Sequence, residues 1–162
     1  MTMGRHMKPA ILLLLSLPFC IQAAERELWL VELEHNDGLR LQFQGAELEL
    51  GSARLEGMRQ LSDLRPGMRL AIWSRDGVAE QIALALPRQP DGWRRAQAPL
   101  IAQGAGTLSM AGLGEVAFDH HTRWLNGGPG DLQPGRELVL TRDEAGSLQE
   151  ILVVNPEDEI TE

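Results

Sequence analysis

Residues 63–87 read DLRPGMRLAIWSRDGVAEQIALALP, and residues 131–156 read DLQPGRELVLTRDEAGSLQEILVVNP. Asp63-Leu64, Pro66-Gly67, Leu70, Gly77, Ile82 and Pro87 match Asp131-Leu132, Pro134-Gly135, Leu138, Gly146, Ile151 and Pro156, with one residue inserted near Ala145. Arg54 and Arg123 precede the two blocks at nearly equal distance. So many turn-forming and apolar positions in register indicate an internal duplication, and self-similarity of this kind is a primary signal of fold.

Working outward, each copy reads as short strands. In the first, Leu28-Trp29-Leu30-Val31 leads into Asn36-Asp37-Gly38, a hairpin signal because such turns need residues that accept positive φ. Leu39, Leu41 and Phe43 then alternate with Arg40, Gln42 and Gln44, and Leu48 and Leu50 alternate with Glu47 and Glu49. Period two means strands with one buried face. Pro66-Gly67 turns into Met68, Leu70 and Ile72, and Asp76-Gly77 turns into a last strand over Ala79–Leu86. The second copy repeats the plan through Leu108/Met110, Val116/Phe118, Leu138/Leu140 and Leu148–Val154. Residues 55–62 admit a short helical turn, whereas Asn126-Gly127-Gly128-Pro129-Gly130 excludes one.

The expected fold class is all-β, with two tandem small OB-like barrels or sheets of about five short strands each. Unit 1 spans 25–87 and unit 2 spans 100–156, joined by 88–99. That connector carries Pro, Gly and Arg without an apolar period, so it is expected as a linker. Units this small are marginally stable alone, so they pack together as two barrels or merge into one.

A strand, the block Asp-Leu-x-Pro-Gly, a strand, a Gly turn and a final apolar strand resemble the OB-like modules of unknown function common in secreted bacterial proteins. The pattern is also similar to small periplasmic accessory proteins of type IV pilus assembly. The resemblance covers nearly all of the chain after its first two dozen residues and implies fold and location. Its motif is made of turn and core residues, so no catalytic residue carries over.

Residues 1–23 are expected to be a signal peptide. They hold Arg5 and Lys8 but no acidic side chain, then the apolar run Ile11 to Leu17, then Ile21-Gln22-Ala23. Cleavage fits after Ala23 or Ala24, and Met7 is an alternative start to Met1. The apolar run is shorter than the ~20 residues of a membrane span, so none is expected after cleavage. Cys20, the single cysteine, follows Phe19 and not the small residue that precedes a lipidated cysteine, which places it in the discarded peptide.

Removing this segment takes away two of the 15 basic residues and none of the 23 acidic ones, so the formal charge moves from −8 to −10. That balance argues against nucleic acid, which needs a basic footprint. The remaining chain has neither cysteine nor lysine. It needs no disulfide and cannot use thiolate chemistry. A bacterial periplasm is the expected location.

Few residues invite chemistry. Asp119-His120-His121 is the one cluster with metal-ligand side chains, and Met58, Met68 and Met110 add soft sulfur of the kind Cu(I) takes. No Met-x-Met or His-x-His spacing sets a chelate on one strand face, so no cofactor is expected, and a copper-type metal protein stands as the alternative. Serines 52, 62, 74, 109 and 147 lie in ordinary strand or turn contexts without Gly-x-Ser-x-Gly. Asp63 and Asp131 look like a symmetric carboxylate pair, but Asp before such turns caps backbone amides. The chain is therefore expected to be no enzyme. Trp93-Arg94-Arg95 fits a contact patch for an anionic or protein partner, another envelope protein or assembly being expected, since Trp and Arg favour binding hot spots; equally, Trp93 fits a cover over the seam between units. The tail at 157–162 reads as a solvated acidic end.

Overall fold

The strands begin and end where the sequence places its turns. A computed structural model describes residues 24–155; the expected signal peptide (1–23), Cys20 and the acidic tail (157–162) lie outside the described residues. The first copy contributes β1 (Glu27–Glu32), β2 (His35–Asn36), β3 (Arg40–Phe43), β4 (Ala46–Glu49), β5 (Arg54–Glu56), β6 (Arg69–Arg75) and β7 (Val78–Leu84). The second contributes β8 (Trp93–Gly104), β9 (Thr107–Met110), β10 (Gly114–Ala117), β11 (Arg123–Leu125), β12 (Glu137–Arg142) and β13 (Leu148–Val153). Both Pro-Gly turns have glycine at positive φ, +84° at Gly67 and +86° at Gly135. Both are closed by an i+3 hydrogen bond, Met68 N–H to Arg65 O and Arg136 N–H to Gln133 O, as a type II turn requires.

The chain is all-β with a mixed sheet. Its strands run β11-β13-β12-β8-β1-β6-β7-β4-β3-β2, with β9 and β10 attached to β8 and with β5 beside β7. The two copies are wired alike. β1 runs antiparallel to β6 and β8 antiparallel to β12; β5 lies parallel to β7 and β11 parallel to β13. The last hairpin of each copy carries a register irregularity at the same place, between Trp73 and Ser74 and between Thr141 and Arg142. β8, twelve residues long, does in one strand what β1 and β2 do in two.

The copies meet through β1 and β8, which pair in parallel. Alternate residues of β1 enter different cores. Leu28 and Leu30 join the cluster of Ala96, Ala98, Leu108, Leu138 and Ile151, while Trp29 and Val31, with Leu33 just past the strand, join that of Leu41, Leu48, Leu70 and Ile82. On β6, Leu70 and Ile72 face the second cluster and Ala71 the first. The two cores therefore sit on opposite faces of the central strands, as parallel pairing of equivalent strands dictates. Strands buried on both sides read as near-continuous apolar runs, as β1 and β6 do here.

Three expectations change. The sheet is not closed into barrels. In unit 1 a single residue pair, Glu49 with Val78, joins β4 to β7, and in unit 2 β10 pairs, among the described residues, only with β9. The linker at 88–99 is in large part strand, because residues 93–99 form the first half of β8 between β1 and β12. A register irregularity near Leu28/Trp29 interrupts the alternation there, and the face away from the core carries Arg95 and Gln97, so no apolar period shows. Finally, Pro129–Asp131 does form a turn of 3-10 helix, matching Leu61–Asp63 in unit 1. Proline is well placed at a first helical position, where its missing N–H would have no partner. Among the described residues no helix is long and apolar enough to cross a membrane.

Two tests follow from these turns. A Cβ on Gly51, whose φ is +48°, would stand 2.8 Å from Val78 Cγ1, whereas one on Gly57, at +77°, would meet open space. Gly51→Ala is expected to cost about 2–4 kcal/mol from backbone strain plus overpacking, and Gly57→Ala about 1–2 kcal/mol, read by urea unfolding. At the first hairpin, Asp37 Oδ1 accepts the N–H groups of Leu39 at 2.8 Å and Arg40 at 2.7 Å. These bonds, Leu39's foremost, hold its carboxyl below the usual aspartate range. Their contribution is complete above the ordinary aspartate pKa and lost as pH falls through the lowered native one. Amide exchange at Leu39 and Arg40 is expected to accelerate only in that acid window, and Asp37→Ala to remove the step.

Candidate functional site

At one end of the central pair, β1 and β8 start side by side, and the hairpin turns at 76–77 and 143–146 come in from either flank. Together they line a groove of about 550 Å³. Its charged lining is mixed in sign: Arg26, Arg94 and Arg142 against Glu25, Glu27, Asp76, Asp143 and Glu144. The Arg142 guanidinium lies 3.7 Å from the ring centre of Trp93, a cation–π contact worth about 0.5–2 kcal/mol. Burial pulls Arg142 below the ordinary arginine pKa, and Asp91 opposes it. Arg94 donates to the Arg142 carbonyl and pairs with Glu27 at 3.6 Å. Arg26 pairs with Glu80 at 3.3 Å and lies over Trp73.

The structure does not bring Trp93, Arg94 and Arg95 together as one patch. Trp93 is 3% exposed and packs in the core beside the seam, opposite Leu28. Arg94 lines the groove. Arg95, 8% exposed, is among the buried residues and reaches into the other copy. Its Nη2 donates to Gln44 O at 2.6 Å and its Nη1 to Thr141 Oγ1 at 3.1 Å. Its guanidinium lies 5.9 Å from the Trp29 ring centre, and its Nε has no hydrogen-bond partner among the described residues. Desolvation lowers its pKa, with Glu150 acting against that. The seam-cover reading suits Trp93, and Arg95 is a strut between copies. Sequence reasoning missed Arg26, Trp73 and Arg142. The repeat register offered one signal, since Arg142 falls where the first copy has Ser74.

Asp119-His120-His121 forms a local turn. Asp119 Oδ1 accepts the His121 N–H at 2.8 Å, the Asp119 N–H donates to Thr122 Oγ1, and Thr122 Oγ1 donates to Leu148 O. The two imidazoles are exposed, with ring centres 3.8 Å apart. Met110 is buried in the core of unit 2, while Met58 and Met68 pack against that of unit 1, so the sulfurs do not converge on the histidines. Among the described residues no three His, Cys, Asp or Glu side chains gather as a metal ion would need.

Asp63 and Asp131 are equivalent turn caps. Asp63 Oδ2 accepts the N–H groups of Arg59 at 3.0 Å and Gln60 at 3.2 Å, and Asp131 Oδ2 accepts that of Gly128 at 2.9 Å. Compared with known proteins, the chain matches no family model and no curated protein.

Exposure to copper, zinc or nickel followed by desalting is expected to leave no stoichiometric metal by elemental analysis. Retained metal that His120→Ala/His121→Ala abolishes would restore the copper-type reading.

Proposed function

We propose that this chain is a non-catalytic, exported protein of the bacterial envelope, a binding or assembly accessory that recognises another envelope protein through the groove at the seam of its two copies. The single observation that carries the reading is that groove. Both copies of the duplicated unit deliver their equivalent hairpin turns to its rim, and its lining offers guanidinium and carboxylate groups side by side. Arg26 and Arg94 are engaged by Glu80 and Glu27, whereas Glu25, Asp76 and Glu144 have no ion pair among the described residues. A mixed lining with spare carboxylates suits a polypeptide that presents basic side chains, and it disfavours polyanions. The periplasmic location rests on the address-like segment 1–23 and on a cysteine-free remainder. In this reading each copy is an OB-like module opened at its edge, related in plan to the secreted modules and pilus-assembly accessories that its turn motif resembles.

The purified, tagged protein should capture its partner from envelope extracts of the native organism. Arg26→Ala combined with Glu144→Ala changes two exposed groove residues and spares Trp93, whose truncation would hollow the core. That double variant is expected to fold normally by circular dichroism and to capture at least ~10-fold less, the effect of losing roughly 1.4 kcal/mol. Unchanged capture would remove the groove from the reading.

A further inference from the structure

The two copies differ at one place in their wiring. In unit 1, β4 reaches β7: the Glu49 N–H donates to Gly77 O at 2.9 Å, and Glu49 is paired with Val78. The approach is tight, and it is possible because position 51 is glycine. The repeat register carries these positions into unit 2. Gly77 corresponds to Gly146 and so Val78 to Ser147. The bond from Leu50 N–H to Leu39 O corresponds to that from Phe118 N–H to Gly106 O, so Glu49 corresponds to Ala117 and Gly51 to Asp119.

In unit 2 the join is missing. Asp119 has a side chain where Gly51 has none. The hairpin loop is also one residue longer, with Arg142 paired to Leu148 across 143–147 where unit 1 pairs Ser74 with Ala79 across 75–78. β10 is left with β9 as its single neighbour among the described strands. Because Phe118 donates inward to Gly106 O, the N–H of Ala117, one residue earlier, points away from β9. Between β10 and the start of β13 lies a gap of about 320 Å³. Val116, Phe118 and Leu148, which belong to or pack on the unit 2 core, line it, and so do Asp119, Thr122 and Arg142.

We propose that this gap is a strand-acceptor site for an extended peptide segment of a partner protein. The chemistry of the occupant is read from unit 1, where the same place is filled by the chain's own Gly77-Val78 running parallel to β4. The incoming segment lies parallel to β10 and offers a backbone carbonyl to the Ala117 N–H. It lays a small or β-branched apolar side chain, in the role of Val78, over Val116, Phe118 and Leu148. Backbone bonds supply the affinity and the apolar floor the selectivity, as in strand addition generally. The site is distinct from the seam groove, with which it shares only Arg142 and Gly146 among its lining residues.

The test uses the purified protein and a synthetic peptide of residues 77–84, Gly-Val-Ala-Glu-Gln-Ile-Ala-Leu. Amide exchange is followed by NMR at Glu49 and Ala117. Without peptide, Ala117 is expected to exchange at least ~10-fold faster than Glu49, and millimolar peptide to slow it by about the same factor while a scrambled peptide does not. A variant combining Asp119→Gly with the loop 143–147 replaced by the unit 1 loop Arg-Asp-Gly-Val should protect Ala117 without peptide and lose the response. Ala117 protected like Glu49 from the outset, or unmoved by the peptide, would overturn the proposal. So would protection that rises with protein concentration, which would identify a second copy as the occupant, or protection lost on removing residues 156–162, which would identify the chain's own end.

Discussion

The parallel pairing of β1 with β8 is the constraint on which the rest of the structure depends. Two copies of one unit are joined by their equivalent first strands, so each copy turns the back of its first strands toward the other copy's core. Four strands, β12, β8, β1 and β6, are thereby enclosed on both faces, and the core of unit 2 is completed by residues of unit 1. Leu28 and Leu30 belong to unit 1 by sequence but pack with unit 2. Parallel strands also need a long crossover, and here the whole of unit 1 after β1 serves as that connection.

Packing two cores against one shared sheet also decides where polarity is tolerated. The face of β8 turned toward unit 1 carries Arg95 and Gln97, both buried, where β1 turns Leu28 and Leu30 toward unit 2. Arg95 is a cation in a desolvated place, without an ion pair among the described residues, held by Gln44 O, Thr141 Oγ1 and the Trp29 ring. Removing any of these would leave a buried charge less satisfied, which costs more than the bond itself gains. The arrangement ties the β3–β4 hairpin of one copy to β8 and β12 of the other, with Gly45 close against the guanidinium. The seam is therefore polar on one face and apolar on the other, which makes the two copies unequal.

Much of each copy was legible because its determinants are local. Pro66-Gly67 and Pro134-Gly135 mark type II turns, Asp63 and Asp131 cap their own turns, and the alternation of Leu41 and Phe43 with Arg40 and Gln42 marks a strand with one wet face, although Leu39, expected on the buried side, is exposed ahead of the strand. β8 was hidden for a physical reason. Buried on both faces, interrupted at its start and polar on one side, it shows neither alternation nor a plain apolar run. β5 and β11 are three residues each, too short for any period to register, although the matching of Arg54 with Arg123 marked their places. Of the triplet Trp93-Arg94-Arg95, adjacency in sequence suggested one patch, but successive side chains of an irregular strand point in different directions: Trp93 and Arg94 border the groove, while Arg95 reaches into the other copy.

The sequence by itself determined the duplication, the all-β class, the turns and the composition of each core, because those follow from periodicity, φ preferences and burial of side chains close along the chain. Only the tertiary structure decided how the copies meet, which faces of β1 and β8 are covered, and that unit 1 joins β4 to β7 while unit 2 leaves the equivalent place open. These outcomes depend on contacts between residues far apart in sequence, such as Val78 against Gly51 or Arg95 against Gln44. Whether a strand can come that close is settled by the presence of one Cβ and the length of one loop, and neither leaves a pattern in the chain until the strands are set side by side.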